Sequence, residues 1–261
     1  MENQNHSEKK LYLIGTHHLD LNGPRRLESA FNYLNPKIIA LEMSGDRDYF
    51  ASPKENKKMR QRLEEIFKSS RMGLNPDEIG SFLDITDSLS KYYGYELTTS
   101  KDYAARNPKT TLEYIDISFF KQGIKKFLEG FFEMFKQMLE AVSEDSDKKE
   151  LILNMIKDKD LSIKQHQEEV DAAYKNKGFY YEAYQELIHA QEQGIEDLGP
   201  LKEIFNPKRD DCMLKRIREL YASFSSGNLC SILGLAHLPG IQKRIEDLSP
   251  VLLTLPEAAR E

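Results

Sequence analysis

Cysteine is nearly absent from this sequence. Of 261 residues only 2 are cysteine, and Cys212 and Cys230 are too far apart to form a C-x-x-C motif. A disulfide framework is therefore not expected, and the default compartment is a reducing cytoplasm. We expect both thiols to pack in the interior like small apolar side chains.

Long apolar runs are also missing. No stretch approaches the roughly 20 apolar residues that a transmembrane helix needs. The first ten residues, MENQNHSEKK, are polar, which is unlike a secretory signal. The sequence thus predicts a soluble chain with no membrane span.

Positive charge is in deficit. Lys and Arg total 37 against 43 Asp and Glu, for a net charge of −6. Because the chain also has no basic block, a nucleic acid is not an expected partner. With 39% hydrophobic and 31% charged residues, the composition is that of a globular protein. The length suffices for a sizeable core.

Strand and helix patterns alternate at both ends of the chain. Leu11–Gly15 and Lys37–Glu42 are short apolar runs typical of buried strands, and Asn22–Leu34 between them has helical spacing. This βαβ unit predicts a parallel sheet with a right-handed crossover. Further strands are predicted at Tyr95–Thr99, Thr111–Ile115, Asn228–Gly234 and Val251–Leu255.

Asparagine–proline pairs indicate two helix starts. Asn75 precedes Pro76 and two acidic residues, a favourable first turn. Asn206-Pro207 is expected to begin a second helix that runs to about Phe224. A third predicted helix covers Pro239–Leu248.

The middle of the chain has a different composition. Residues 116–200 are rich in Lys, Glu, Gln, Phe and Met, which predicts several packed helices. We therefore predict one α/β domain, 1–261, with a helical insertion that covers the pocket as a lid. One helical stripe contains Phe119, Phe127, Phe131 and Phe135. We expect this stripe in the core. The alternatives are a substrate groove and a homodimer face.

A short phrase, G-x-x-H, occurs twice: in LIGTHHL and again in ILGLAHL. Gly15 and Gly234 each close a predicted strand, and His18 and His237 lie just beyond. Glu42 is the last residue of another predicted strand. Ligands of parallel sheets bind at the carboxyl ends of the strands. The sequence therefore predicts one site formed by the three side chains, with the glycines shaping the turns.

Two histidines and a glutamate permit two kinds of chemistry. They can bind a divalent metal and leave positions open for water or substrate. Without a metal, the same groups supply general acid–base catalysis. Taken singly, each residue is more often an ordinary hydrogen-bonded or ion-paired side chain.

Arg209 is a fourth candidate. It falls in the first turn of a predicted helix, where the helix dipole disfavours a cation. It therefore either faces an anionic group in the site or is a solvated surface residue. Neighbours on extended chain point in opposite directions, so His17 and His18 are not expected to share a role. The second phrase has Ala236 at the position of His17, so His18 is favoured. The surface is predicted for His6, His166 and His189.

Two segments resemble a known family. LYLIGTHHLDLNGPRRLESAFNYLNPKIIALEMSGDRDYF resembles the opening of the TraB/PrgY family, which is related to the Tiki and GumN proteins. NPKRDDCMLKRIREL followed by CSILGLAHLPGI resembles its closing motif, in which an Arg-Asp pair opens a helix before G-x-x-H. The helical middle shows little resemblance. Leu235 stands where the family often has a smaller residue.

The resemblance implies a fold and a site. The fold would be the α/β fold shared with erythromycin esterases and haem-binding ChaN proteins. The active-site set would be His18, Glu42, Arg209 and His237, with Arg47 as a further substrate contact. Many relatives have membrane helices or lipid anchors, for which this sequence shows no segment.

The resemblance also implies an activity. Tiki members are described as metal-dependent proteases, so we expect a hydrolase of peptide, amide or ester bonds that uses Mn²⁺ or Co²⁺, or else Zn²⁺. The alternative is a protein that sequesters a peptide or small ligand without turnover, as in pheromone shutdown. Haem binding through a tyrosine such as Tyr180 or Tyr181 is a third alternative.

Overall fold

Five parallel strands form the centre of the protein. The structure is a computed structural model that describes residues 8–43, 53–117, 124–176, 178–194 and 208–260. The strand order is β3-β2-β4-β1-β5, and all neighbours are parallel. The strands are β1 (Lys10–Thr16), β2 (Pro36–Leu41), β3 (Thr111–Tyr114), β4 (Asn228–Gly234) and β5 (Val251–Thr254).

Helices connect and cover the strands. The α/β fold expected from the alternating patterns is confirmed. A 3-10 turn at Glu246–Leu248 follows α10. The helices are α1 (Gly23–Leu34), α2 (Pro53–Ser69), α3 (Pro76–Ser90), α4 (Tyr95–Arg106), α5 (Ile124–Glu144), α6 (Ser146–Lys157), α7 (Lys159–Lys175), α8 (Phe179–Glu192), α9 (Lys208–Ala222), α10 (Leu238–Arg244) and α11 (Leu255–Ala259).

Apolar side chains cover both faces of the sheet. One face packs against α1, α4, α7 and α11, with Phe31 and Tyr103 in ring contact. The other face packs against α9 and α10 through Met213, Ile217 and Ile241. Because both faces are buried, the central strands β1, β2 and β4 are nearly continuous buried runs rather than alternating ones.

A third apolar cluster lies among helices only. It joins α2, α3, α5 and α6 through side chains such as Phe67, Leu83 and Leu139. Asn75 begins α3 as predicted: its side chain accepts from two backbone N–H groups, and Glu78 bonds back to its N–H. The predicted helices of the middle are confirmed over the described part of 116–200. None of the helices in the described residues is long and apolar enough to cross a membrane.

One predicted strand is wrong. Tyr95–Thr99 forms the first turns of α4, which continues to Arg106. Residues such as Tyr95, Thr99 and Tyr103 are buried at helical spacing, so the pattern over twelve residues outweighs the β-branched pair Thr98-Thr99. Five residues are too few to distinguish the helical period of 3.6 residues from the strand period of two.

Other predictions need smaller adjustments. The helix after Asn206-Pro207 begins at Lys208, and the pair itself is outside the described residues. The last predicted helix ends at Arg244 before the 3-10 turn. Cys230 is buried as expected, whereas Cys212 is only half-buried.

Strand register explains why the chain carries the G-x-x-H phrase twice. β1 and β4 are neighbours, although they are far apart in sequence, and Thr16 pairs with Gly234. β2 lies on the other side of β4. The turns after β1 and β4, and Glu42 after β2, therefore meet at one edge of the sheet.

Gly15→Ala should destabilise the fold by about 1–3 kcal/mol through overpacking. An added Cβ would lie 2.7 Å from Leu238 Cδ2 and 2.9 Å from Leu235 Cδ2. Urea unfolding would measure the change in the free energy of unfolding. Gly80→Ala is the matched control: no atom lies within 4 Å of its added Cβ, so it should stabilise α3 by about 0.5–1 kcal/mol. Equal effects at both glycines would contradict the packing argument.

Candidate functional site

Glu42 joins the predicted site residues. Its Oε1 accepts a hydrogen bond from Arg209 Nη2 at 2.7 Å and lies 3.3 Å from His237 Nε2. Its Oε2 accepts from the backbone N–H of Gly234. A Cβ added at Gly234 would lie 3.2 Å from His18 Nε2 and 3.3 Å from Glu42 Oε2, so His18 faces the same point. The structure thus places His18, Glu42, Arg209 and His237 together.

Gly234 leaves the space in which these groups approach each other. It is the last residue of β4, and only hydrogen occupies the position that His18 and Glu42 flank. A small cleft at this point is lined by both side chains and by Thr16. Gly234 was expected to shape the turn, and in the structure its missing side chain lets His18 and Glu42 lie close to the backbone of β4.

The Glu42 carboxyl group is buried and ionised. Burial alone would raise its pKa, but the neighbouring charges of His237 and Arg209 lower that pKa to about 2. The N–H of Gly234 stabilises the same charge. Glu42 is therefore a carboxylate throughout the physiological range of pH.

Arg209 is not a solvated surface arginine. It is only 2% exposed, and its guanidinium also donates to Asp116, with the shortest contact 2.8 Å from Nη2 to Oδ2. Burial disfavours its charge, but Glu42 and Asp116 together raise its pKa above the ordinary value. Because two carboxylates already bind the guanidinium, Arg209 orients Glu42 at the start of α9.

Each histidine has its own carboxylate. Asp210 Oδ1 lies 2.6 Å from His237 Nδ1, and Glu96 Oε1 lies 2.7 Å from His18 Nδ1. An ionised carboxylate can only accept, so the hydrogen in each bond belongs to Nδ1. In the neutral imidazole, Nε2 of each ring is then left with a lone pair that faces the region of Glu42.

Sequence reasoning missed four residues of the site. Asp116 follows β3 just as Glu42 follows β2, so the strand-end rule was available to find it. Asp210 adjoins Arg209 and belongs to the same Arg-Asp pair, from which only the arginine was assigned to the site. Glu96 was placed in a strand, and nothing in the sequence marked Tyr184, whose ring centroid lies 4.8 Å from that of His237.

The helical middle contacts the turn that contains His18. The hydroxyl of Tyr174 in α7 accepts from His17 N–H, and His166 Nε2 donates to the carbonyl of Leu19. The His17 ring packs edge-on against Tyr180 and His166. Burial, with smaller contributions from His18 and His166, lowers the pKa of His17 to about 4, so this ring is neutral.

Predictions for the remaining histidines and Arg47 had mixed outcomes. His189 is exposed as expected. The surface prediction for His166 is wrong, because the side chain is half-buried against the first G-x-x-H turn. His6 and Arg47 lie outside the described residues. Within the described ranges, no group of three or more His, Cys, Asp or Glu side chains is arranged so that it could hold a metal ion.

Fold and site together define a class: a parallel α/β protein with a His–Glu–His cluster at adjoining strand ends. The model of the TraB/PrgY/gumN family matches residues 2–250, so the chain belongs to this family. No curated protein and no solved structure matches the chain.

Arg209→Ala should destabilise the protein by about 3–5 kcal/mol, since it leaves two buried carboxylates without their cation. Chemical denaturation would measure this change. Arg216→Ala on the same helix is the matched control: Arg216 also contacts two carboxylates, Glu113 and Glu219, but it is 41% exposed. Its loss should cost no more than about 1 kcal/mol. Similar costs for both variants would show that burial does not strengthen the Arg209 network.

Proposed function

We propose that this protein is a metal-dependent hydrolase of amide or ester bonds in peptides or related small molecules. His18, Glu42 and His237 would bind the divalent ion. The observation that carries this proposal is the pair of histidines that each donate Nδ1–H to a buried carboxylate while Nε2 faces Glu42. Metal-ligating histidines are typically oriented in this way.

The donor set is chemically suited to such an ion. Two imidazole nitrogens and one carboxylate favour Mn²⁺, Co²⁺ or Zn²⁺ over Ca²⁺ or Mg²⁺. The charges favour a cation as well, because the described residues of the site include four buried carboxylates and one guanidinium, which contacts two of them. These carboxylates are Glu42, Glu96, Asp116 and Asp210.

Each protein group has a separate task in this hydrolase. The ion, when bound, supplies a Lewis acid that polarises a carbonyl and lowers the pKa of water. Arg209 keeps Glu42 ionised and oriented. Asp210 keeps the proton of the His237 imidazole on Nδ1. Tyr184 packs against His237 and excludes water from one side of the ring.

A binding protein without turnover is the second candidate. Arg209 and the Gly234 N–H already satisfy both oxygens of Glu42, as in a pocket that needs no metal. The rings of His17, His166 and Tyr180 form a half-buried corner beside His18 that suits a peptide side chain. Turnover distinguishes the candidates: a hydrolase forms product beyond one equivalent, and a sequestering protein does not.

Mn²⁺, Co²⁺ or Zn²⁺ added to metal-stripped protein should raise its Tm, because an ion that binds only the folded state stabilises it by mass action. At 100 times the Kd the gain is about 2.7 kcal/mol. The increase should be lost in His18→Ala and also in His237→Ala, since one ion would need both rings. Thermal unfolding at several ion concentrations measures it.

His189→Ala is the control variant in this titration. His189 lies exposed on α8, outside the cluster, and its removal should leave the increase unchanged. If no ion stabilises the wild type, the metal-dependent hydrolase is excluded and the binding protein takes its place. If the ion raises the Tm of His18→Ala as much as that of the wild type but does not raise the Tm of His237→Ala, the ion does not bind between the two G-x-x-H motifs.

A further inference from the structure

Glu96 lies behind His18, on the side away from Glu42. It belongs to the first turn of α4, and only 2% of the residue is exposed. We propose that Glu96 is a positioning residue that fixes the tautomer and orientation of His18. Its effect on metal affinity rests on the proposed function, but its effect on the imidazole does not.

The hydrogen bonds of Glu96 determine which ring nitrogen carries the proton. Its Oε1 receives His18 Nδ1 at 2.7 Å and the Thr16 hydroxyl at 3.1 Å. The carboxylate has no hydrogen to donate, so the bond to His18 requires Nδ1–H. The other tautomer would bring the Nδ1 lone pair against a buried negative charge. Nε2 of the neutral ring then carries the lone pair and is the nitrogen that can act as an acceptor or ligand.

Glu96 is not buried for the sake of packing. Its Oε2 has no hydrogen-bond partner among the described residues, although the atom is inaccessible to solvent. A buried carboxylate that is only partly satisfied costs stability, and an apolar residue of similar volume at this place would avoid that cost. The N-terminus of α4 and His18 offset part of the cost. A buried carboxylate that is only partly hydrogen-bonded is expected where it orients a neighbouring side chain, here that of His18.

His237 has the corresponding arrangement with a different carboxylate. Asp210, on α9, contacts its Nδ1 at 2.6 Å. The two positioning carboxylates come from different helices on opposite faces of the sheet, since α4 and α9 pack on different apolar clusters. Removing Glu96 should therefore change His18 and leave His237 unaffected, which gives the test an internal reference.

The test is ¹⁵N NMR of the imidazoles in metal-free protein, with the pH raised until the spectrum shows that both rings are neutral. We expect His18 of the wild type to be the Nδ1–H tautomer. In Glu96→Gln, the amide can present either its oxygen or its NH₂ group, so the Nε2–H form of His18 should appear. Thr16→Val should retain the wild-type tautomer, because the contact to His18 persists. His237 should be the same in all samples.

Glu186→Gln, at an exposed position of α8, is the control and should change neither histidine. Circular dichroism would verify that each variant is folded; if Glu96→Gln unfolds, the wild-type spectrum alone still decides. An Nε2–H tautomer in the wild type would overturn the proposal. So would a folded Glu96→Gln variant with an unchanged His18 spectrum, because Glu96 would then have only a structural role.

A second measurement connects Glu96 to the proposed metal. Loss of a carboxylate behind a ligating histidine typically weakens metal binding 10–100-fold, and we expect that range for Glu96→Gln relative to Glu186→Gln. If the wild type binds no ion, the proposed function fails, whereas the NMR result still decides the role of Glu96. If the ion binds equally well to both variants, Glu96 does not position a ligand.

Discussion

The buried carboxylate of Glu42 is the constraint on which the site depends. An ion of this size loses several kcal/mol of hydration when it is buried, so its charge must be met by the protein. Arg209 meets it at 2.7 Å, and the N–H of Gly234 meets the second oxygen. The start of α9 therefore has to lie at the ends of β2 and β4. Asp116, which binds the other side of the guanidinium, extends the same requirement to the end of β3.

The parallel arrangement of the strands brings these groups together, although they are far apart in sequence. In a parallel sheet every strand ends at the same edge, so residues just past adjacent strands in the order β3-β2-β4-β1 are neighbours whatever their distance in sequence. The pairing of Thr16 with Gly234 sets the relative height of the two G-x-x-H turns. A shift of one residue would turn the side chains of β4 to the opposite face and would separate Gly234 from Glu42.

Much of the fold and the centre of the site could be predicted from sequence because both depend on local patterns. Short runs of strand-forming residues located all five strands of the described sheet, and strand ends located His18, Glu42 and His237. Arg209 was detectable because a cation is unfavourable at a helix start. Glu96 was not, since its surroundings, YELTT, satisfy a strand pattern over five residues. The contact of Tyr184 with His237, and that of His166 with Leu19, depend on how α7 and α8 pack, which no local pattern encodes.

The charge balance of the site bears on why each of the two histidines contacts a carboxylate through Nδ1. Among the described residues of the site, four buried carboxylates and the guanidinium of Arg209 leave negative charge in excess unless the imidazoles take up protons or a cation enters. Both solutions use the same atoms, because a proton and a metal ion would each occupy Nε2 once Nδ1–H is committed to Asp210 or Glu96. The two states would therefore compete, and the proposed metal would have to displace any proton held at Nε2. Protonation and the proposed metal binding would thus be linked through two side chains that the sheet has brought together from opposite ends of the chain.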